Sequence, residues 1–192
     1  MWWLIVIALL FLLLKHKKGI DWGYIKFHGI SINPYEGKRI LQKLAPYSNI
    51  IESVAKKFKI DPDMIRAIIW QESRGNPSVY RYEPHVKDAS YGLMQILSNT
   101  AKQVASAFGL PPITSVTMLY DPNLNILLGT AYFYQLLKRF NGNVYKAISA
   151  YNVGPNNKLL LKGYIPNPHY VRSVLSWYNS IKDYKYRMKG KV

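Results

Sequence analysis

The first fourteen residues form an unbroken apolar run that is followed at once by a basic cluster. Residues 1–14 read MWWLIVIALLFLLL, and residues 15–18 read KHKK. At about 1.5 Å per residue this run spans about 21 Å of helix, which is short for a hydrocarbon core of about 30 Å. Because a signal peptide carries its positive charge before the apolar run, this order predicts an uncleaved N-terminal membrane anchor over residues 1–18. A buried core helix is the alternative.

Beyond the basic cluster the hydrophobic pattern changes twice. Residues 19–45 contain scattered glycine, proline and aromatic residues without a sustained period, which indicates a linker or an arm lying on a domain. From residue 46 onward apolar residues recur at the spacing of amphipathic helices. Two Asp-Pro pairs, at residues 61–62 and 121–122, place a capping side chain before a proline. This combination predicts helix starts.

The rest of the pattern predicts a mainly α domain. Short helices are indicated over residues 99–108 and 143–151, and a last helix opens at Pro168. No convincing alternation of apolar and polar residues predicts a strand. The globular domain is therefore assigned to residues 46–182, and the basic stretch 183–192 is expected to form a solvated, frayed tail.

The composition excludes several classes of protein. The chain has 192 residues and no cysteine, so disulfide frameworks, zinc ribbons and cysteine nucleophiles are excluded. Its 26 basic and 10 acidic residues give a net charge of +16, which indicates a polyanionic neighbour such as nucleic acid, anionic lipid or cell wall. The basic residues lack the aromatic spacing of nucleic-acid platforms, so no nucleic-acid partner is expected. The isolated His85 and His169 predict no metal site, and no cofactor is expected.

Glu72 occupies a position where the helical pattern predicts a hydrophobic residue. It follows Ile65, Ile68 and Ile69 on one face of the helix that starts at Pro62. Desolvation on this face and the negative end of the helix dipole both raise the pKa of a carboxyl group. A carboxyl group that stays protonated near neutral pH can act as a general acid. A surface glutamate on a fraying last turn is the alternative.

Four motifs follow one another along the chain. Glu72-Ser73 is followed by GLMQI at residues 92–96, by AYNVGP at residues 150–155 and by Tyr170-Val171 in the last helix. In this order the set resembles the catalytic domain of the soluble-type lytic transglycosylases, a goose-lysozyme-like family, over about residues 46–181. The resemblance implies a mainly α, lysozyme-like domain that cleaves the β-1,4 bond between MurNAc and GlcNAc in peptidoglycan.

The resemblance also implies roles for individual residues. Glu72 matches the catalytic acid and base, and Ser73 is expected to help fix its carboxyl group. Gln95 is expected to hydrogen-bond the sugar. The positions implied for substrate binding are Ser73, Met94, Gln95, Tyr151, Asn152 and Tyr170.

The chain departs from the family pattern in two places. Val153 stands where alanine is commoner in the AYNAG form of the motif. The segment SVYRYEPHVKDAS, residues 78–90, makes the stretch after Glu72 longer than in bacterial cell-wall forms and is similar to phage wall-degrading enzymes. This points to a phage-like variant and leaves Tyr82 and Ser90 as alternatives for a further sugar-contacting residue.

The family resembled here works with one carboxyl group. Glu72 is expected to protonate the glycosidic oxygen and then to take the proton of the C6 hydroxyl, which gives 1,6-anhydro-MurNAc. Ordinary glycoside hydrolysis uses two carboxyl groups, so a lysozyme is the alternative if Glu83 or Asp88 lies across the cleft. A catalytically silent, basic wall-binding module is a third alternative.

The anchor and the resemblance together predict a membrane-anchored enzyme that faces peptidoglycan. Its expected partners are peptidoglycan glycan strands and, through residues 1–18, the membrane. The positive-inside rule places the KHKK side in the cytoplasm, which is the wrong side for a wall enzyme. Two locations are therefore expected as alternatives: a viral membrane or virion that meets the wall during phage entry, or a bacterial inner membrane.

Overall fold

The computed structural model describes residues 20–190. Within this range the chain forms eight α-helices, two short 3₁₀ helices and a three-stranded sheet. The helices are α1 (Pro34–Lys43), α2 (Ser48–Phe58), α3 (Pro62–Ser73), α4 (Ser98–Ala107), α5 (Pro122–Arg139), α6 (Val144–Val153), α7 (Lys158–Leu161) and α8 (Pro168–Lys189). The 3₁₀ helices span Ala45–Tyr47 and Val116–Tyr120, and the strands are β1 (Tyr80–Glu83), β2 (Asp88–Tyr91) and β3 (Ile96–Leu97). The prediction of a mainly α domain is confirmed.

Both Asp-Pro helix starts lie where the sequence predicts them. The Asp61 carboxylate accepts a hydrogen bond from the Asp63 N–H at 2.8 Å, and that of Asp121 accepts one from the Leu124 N–H at 2.7 Å. Each satisfies an amide that has no partner within its helix. These caps fix the first residues of α3 and α5.

The expectation that the domain contains no strand is wrong. Strand β2 pairs with β1 and with β3, and both pairings are antiparallel. The outer strand β1 is four residues long and mostly exposed, whereas every residue of β2 is buried. Neither strand therefore shows the alternation that marks a half-buried strand.

Helix α3 lies in the core, and its last turn carries Glu72. Its side chains Ile65, Ile68 and Ile69 are at most 1% exposed, and α8 and α2 pack beside it. Burial of three such side chains stabilises the fold by about 5–9 kcal/mol at about 1.5–3 kcal/mol each. The last turn of α3 is therefore held firmly in place.

The segment assigned to a linker or arm, residues 19–45, contains helix α1. Residues 20–33 lie on α8, where Asn179 exchanges two hydrogen bonds with the backbone of Ile25. Gly37 brings α1 against α8 so closely that a Cβ there would lie 2.1 Å from the Ser180 carbonyl oxygen. The helix depends on this tertiary contact, which the sequence pattern does not show.

Residues 183–189 differ from the expected frayed tail, because α8 continues to Lys189. The Lys185 ammonium lies 2.6 Å from the Asp63 carboxylate, which is 3% exposed. Between residues 20 and 190 no helix is both long and apolar enough to cross a membrane. The predicted anchor, residues 1–18, lies outside the described residues.

Candidate active site

Glu72 lines a cavity of about 390 Å³ that lies between the end of α3, the β1–β2 hairpin and the end of α6. The cavity combines ionisable, polar and apolar side chains, as ligand sites do. Its lining consists of Glu72, Arg81, Glu83, His85, Val86, Ser90, Gln95, Leu97, Tyr151, Asn152 and Val153. The hairpin residues Arg81, His85 and Val86 were missed by the sequence analysis, because only the paired strands bring them to Glu72.

Burial raises the pKa of Glu72 from 4.5 to about 7. The hydrogen bond from Tyr170 and the positive charge of Arg81 favour the carboxylate and partly oppose this rise, whereas Glu83 adds to it. Near neutral pH both the protonated and the ionised form of Glu72 are therefore populated. A group in this state can both give and take a proton.

Tyr170 holds the Glu72 carboxyl from the first turn of α8. Its hydroxyl donates a hydrogen bond to Oε1 of Glu72. Burial and the neighbouring Glu72 raise the pKa of Tyr170 well above its ordinary value. Tyr170 therefore stays a neutral donor and fixes the direction of the carboxyl group.

Tyr151 forms one wall of the cavity and supports the GLMQ loop. Its hydroxyl donates to the Met94 carbonyl at 2.9 Å, and its ring centroid lies 5.4 Å from that of Tyr132. Burial raises the pKa of Tyr151 well above its ordinary value, so it too is a neutral donor. An aromatic wall of this kind suits the apolar face of a sugar ring.

Gln95 lines the cavity, but its amide is bonded within the chain. Its Nε2 donates to the carbonyls of Val79 and Gly92, each at 3.0 Å. Its Oε1 accepts from the Ser90 hydroxyl at 3.0 Å. Gln95 also has a left-handed backbone with φ of 44°. The side chain therefore holds the loop that faces Glu72.

Two implied substrate-binding residues lie behind the cavity wall. Ser73 is 7% exposed, and its hydroxyl bonds the Leu93 carbonyl at 2.8 Å and that of Ile69 at 3.2 Å, not the Glu72 carboxyl. Met94 is fully buried, with its sulfur 3.8 Å from the Thr130 hydroxyl. The expected roles of Ser73 at the carboxyl and of Met94 at the sugar are corrected to support of the loop, because both side chains point into the core.

Asn125 on α5 is a supporting residue that the sequence did not reveal. It is fully buried and its amide bonds the Met94 N–H and the carbonyls of Tyr91 and Leu119, each at 2.8 Å. A Cβ at Gly92, whose φ is 73°, would lie 2.5 Å from the Asn125 nitrogen. Only glycine fits there, which explains the first residue of the GLMQ motif.

Asn152 lines the cavity on the side of α6. Its Oδ1 accepts a hydrogen bond at 2.8 Å from Asn167, which precedes α8. Asn167 is a further residue that the sequence analysis did not single out, since its partners lie 15 and 18 residues away. The bond joins the two helices that carry Asn152 and Tyr170.

Glu83 and Asp88, the two acidic residues considered as a second catalytic carboxyl group, have different environments. Glu83 lines the cavity, and its carboxylate lies 2.5 Å from the Arg81 guanidinium. Asp88 is bonded instead by the Ser98 hydroxyl at 2.5 Å and by the Asn99 N–H at 2.9 Å, at the start of α4. Of the two, only Glu83 lines the cavity together with Glu72.

Ser90 and Tyr82, the two alternatives for a further sugar-contacting residue, also lie in different places. Ser90 lines the cavity, whereas Tyr82 is 55% exposed and is not part of the lining. Among residues 20–190, no three His, Asp or Glu side chains are grouped in a way that could hold a metal ion.

The fold and this site are those of a lysozyme-like domain built around one glutamate. Residues 49–164 match the model of the Transglycosylase SLT domain, which covers more than half of the chain. The chain belongs to this family.

Similar curated proteins are bacterial lytic transglycosylases. The chain is 38% identical over 104 residues to the membrane-bound lytic murein transglycosylase E of Buchnera aphidicola, a match that covers 54% of this chain and 45% of that protein. It is 32% identical over 109 residues to the soluble lytic murein transglycosylase of Escherichia coli, covering 57% of this chain and 16% of that protein. The chain thus spans less than half the length of these two relatives.

Solved structures give the same result. The 70 kDa soluble lytic transglycosylase of Escherichia coli aligns with a TM-score of 0.64 and 29% identity, over 74% of this chain and 24% of that one. An inactive mutant of the lytic transglycosylase Slt from Pseudomonas aeruginosa aligns with a TM-score of 0.59 and 28% identity, over 73% and 24% of the two chains. The lysozyme-like fold expected from the motifs is confirmed.

Proposed function

We propose that this chain is a lytic murein transglycosylase that cleaves the MurNAc–GlcNAc β-1,4 bond and leaves a 1,6-anhydro-MurNAc end. The observation that carries the proposal is Glu72, a carboxyl group with a pKa raised to about 7 in a cavity of about 390 Å³. Membership of the Transglycosylase SLT domain family supports the same reaction. The raised pKa suits a group that must be protonated before the reaction and ionised after its first step.

In the first step the protonated Glu72 gives its proton to the glycosidic oxygen. The bond between this oxygen and the anomeric carbon of MurNAc breaks, and the electron pair stays on the departing oxygen. The acetamido group of the same sugar stabilises the positive charge at the anomeric carbon. Tyr170 donates to the Glu72 carboxyl and stabilises the carboxylate that this step leaves.

In the second step the Glu72 carboxylate removes the proton of the C6 hydroxyl of MurNAc. The C6 oxygen then bonds the anomeric carbon and closes the 1,6-anhydro ring, so Glu72 is protonated again and no water is consumed. Arg81 favours the carboxylate, and Glu83 favours the protonated form. Their opposed effects help to keep Glu72 able to serve both steps.

Hydrolysis is the second candidate reaction, and the position of Glu83 is the observation that favours it. Glu83 lines the same cavity as Glu72, so it could activate a water molecule as the second carboxyl group of a lysozyme does. Its ion pair with Arg81 at 2.5 Å holds it instead as a substrate-binding or structural group. The anhydro reaction is therefore the one we propose.

Mass spectrometry of the released muropeptides distinguishes these reactions. The full chain is incubated with purified peptidoglycan, and the proposal expects ends lighter by one water than reducing MurNAc ends. Reducing ends would overturn it in favour of a lysozyme. Absence of any product, together with peptidoglycan binding equal to that of Glu72→Gln, would support a silent binding module instead.

Binding of a small ligand provides a second test. A solved complex of the 70 kDa soluble lytic transglycosylase with bulgecin A aligns over 76% of this chain at a TM-score of 0.64. We propose that bulgecin A binds the cavity at Glu72. Titration calorimetry should give lower affinity for Tyr151→Ala than for the parent chain, and equal affinities would contradict this site.

We further propose that residues 1–18 anchor the domain to a membrane on the side that faces peptidoglycan. The apolar run supports this location, as does the membrane-bound lytic murein transglycosylase E among the relatives. The bacterial relatives named above favour a bacterial inner membrane over a virion. Membrane fractions of the host should retain the full chain after a high-salt wash, whereas its recovery in purified virus particles would favour the virion.

A further inference from the structure

Asn167 precedes helix α8, but its side chain bonds α6. Its Nδ2 donates to the Ser149 carbonyl at 3.3 Å and to Asn152 Oδ1 at 2.8 Å. The Ser149 hydroxyl donates to Oδ1 of Asn167 at 2.5 Å. The Asn167 side chain makes no capping bond to α8. Its amide therefore serves contacts with α6 and not the start of its own helix.

The direction of these bonds is determined by a backbone carbonyl. The Ser149 carbonyl can only accept a hydrogen bond, so the Asn167 atom that faces it must be the nitrogen. The second hydrogen of that nitrogen is directed at Asn152 and needs an acceptor, which only Oδ1 of Asn152 provides. Ser149 is fully buried, so its carbonyl has no alternative partner in solvent.

This arrangement sets the polarity of the cavity wall. Asn152 lines the cavity, and its oxygen is bonded to Asn167. The amide nitrogen, with two N–H groups, is therefore the polar part of Asn152 that a ligand meets. A hydroxyl group can both donate and accept, whereas a carbonyl oxygen only accepts. A hydroxyl group can therefore bond Asn152 in either amide orientation, whereas a carbonyl oxygen binds only the N–H groups and would be repelled by an outward-facing Oδ1.

We propose that Asn167 is a positioning residue, which holds Asn152 so that its N–H groups bind the carbonyl oxygen of a sugar acetamido group. This inference rests on the proposed function, because both sugars of peptidoglycan carry an acetamido group. Asn167 itself does not touch the substrate. It acts by preventing rotation of the Asn152 amide, which would turn the oxygen toward the ligand.

Binding without turnover tests the inference. In the full chain carrying Glu72→Gln, the probe is the β-1,4 tetramer of N-acetylglucosamine, which has acetamido groups but no lactyl or peptide carbonyl. Cellotetraose, which has a hydroxyl at each C2, is the comparison probe. Since a neutral hydrogen bond contributes about 1 kcal/mol, Asn167→Ala should weaken tetramer affinity by about 3- to 10-fold. Affinity for cellotetraose should stay unchanged.

The double variant separates positioning from general damage to the fold. If Asn167 acts through Asn152, adding Asn167→Ala to Asn152→Ala should cause no further loss of affinity. Asn167→Asp should bind the tetramer no better than Asn167→Ala, since a carboxylate cannot donate to Asn152 and turns its nitrogen away from the ligand. In the active chain, Asn167→Ala should raise KM more than it lowers kcat.

Asn157 provides the matched control. Its Oδ1 accepts from the Leu159 and Leu160 N–H groups at the start of α7, and it is not part of the cavity lining. Asn157→Asp makes the same chemical change while keeping a good cap, so tetramer affinity should not change.

Three results would overturn the inference: additive losses in the double variant, equal weakening of both probes, or no tetramer binding by the Glu72→Gln chain. Failure of the proposed reaction is seen separately, as reducing ends in the product analysis of the active chain. Tetramer binding that depends on Asn167 would support the positioning role whichever ends are found.

Discussion

Glu72 lies in the last turn of α3 and Asp88 is the first residue of β2, and burial acts on the pKa of both carboxyl groups in the same direction. At Glu72 burial raises the pKa to about 7, and one tyrosine hydroxyl donates to the carboxyl group. At Asp88 burial also raises the pKa, but hydrogen bonds from Ser98, Asn99 and Ala89 outweigh it and bring the pKa below its ordinary value. The two groups differ in the donors around them.

This comparison shows that burial alone does not produce a general acid. The Asp88 carboxylate, which belongs to β2, contacts the start of α4, where free N–H groups and the positive end of the helix dipole favour a carboxylate. Glu72 lies in the last turn of α3, where the backbone has no free N–H group to offer and the dipole is negative. The end of the helix that each carboxyl group adjoins therefore separates the ionised Asp88 from Glu72 with its raised pKa.

Replacement of Glu72 should have the largest effect. Glu72→Gln removes the exchangeable proton and should lower activity by about 10²–10⁴-fold, the usual contribution of general acid–base catalysis. The amide fills nearly the same volume, so the fold should survive. Release of muropeptides measures the loss, and thermal unfolding measures the fold. The matched control is Glu83→Gln, which should leave the anhydro product unchanged in kind even if it weakens binding. Near-full activity of Glu72→Gln together with an inactive Glu83→Gln would assign the acid to Glu83.

Removal of the Tyr170 hydroxyl should raise the pKa of Glu72 further. The hydrogen bond from Tyr170 lowers this pKa. We expect the alkaline limb of the kcat/KM profile near pH 7, and Tyr170→Phe should move it to higher pH. Loss of a bond to a charged group should also lower kcat about tenfold. A pH profile of muropeptide release tests both effects, and an unchanged limb would mean that it does not report Glu72.

The pH dependence of stability should distinguish the same two carboxyl groups. The pKa of Glu72 is raised in the folded chain. The carboxyl group therefore contributes its full stabilisation below about pH 4.5, and this stabilisation is lost as the pH rises through about 7. Glu72→Gln should therefore gain stability relative to the parent chain between pH 4.5 and 8. Asp88 behaves in the opposite sense, with a contribution that is lost as pH falls below its ordinary pKa. Urea unfolding at several pH values measures both slopes, and parallel curves for the parent chain and Glu72→Gln would contradict the raised pKa.

Replacement of Asp88 should cost stability rather than chemistry. Asp88→Asn exchanges one acceptor for a donor beside the Asn99 N–H and the Ser98 hydroxyl, so it should destabilise the fold by about 1–3 kcal/mol. Urea unfolding measures this loss. The anhydro product should remain the same in kind, and a change to reducing ends would give Asp88 a part in the chemistry.

The smallest change is removal of one donor to Asp88. Ser98→Ala should raise the pKa of Asp88, because the Ser98 hydroxyl bond is the largest effect that lowers it. The expected cost is about 1 kcal/mol. Urea unfolding near pH 7 measures the cost, and nuclear magnetic resonance titration of the Asp88 carboxyl measures the shift. An unchanged pKa would show that the backbone N–H groups alone hold the carboxylate.

The features that could be predicted from sequence are those set by neighbouring residues. The capping bonds of Asp61 and Asp121 span two and three residues, so an Asp-Pro pair is enough to reveal them. Glu72 could be found because it interrupts an apolar helical face. The other motif residues could be placed in order along the chain, but the direction in which their side chains point could not be predicted.

The features that were missed depend on contacts between distant segments. Ser73 bonds the Leu93 carbonyl, 20 residues away, so its adjacency to Glu72 was misleading. Asn167 bonds Asn152, 15 residues away, across two helices. Strand β1 is exposed and short, and only its pairing with β2 brings Arg81 to the cavity. Local patterns do not encode these distances.

The loop of residues 20–33 on α8 also has a mechanical consequence. Its backbone is bonded by Asn179 at Ile25, by Ser176 at Ser31 and by Ser180 at Asn33. A pulling force applied at Ile20 meets these bonds before it reaches α3, which carries Glu72. The loop should therefore yield in steps under load, and tension on the N-terminal side reaches α8 before it reaches α3.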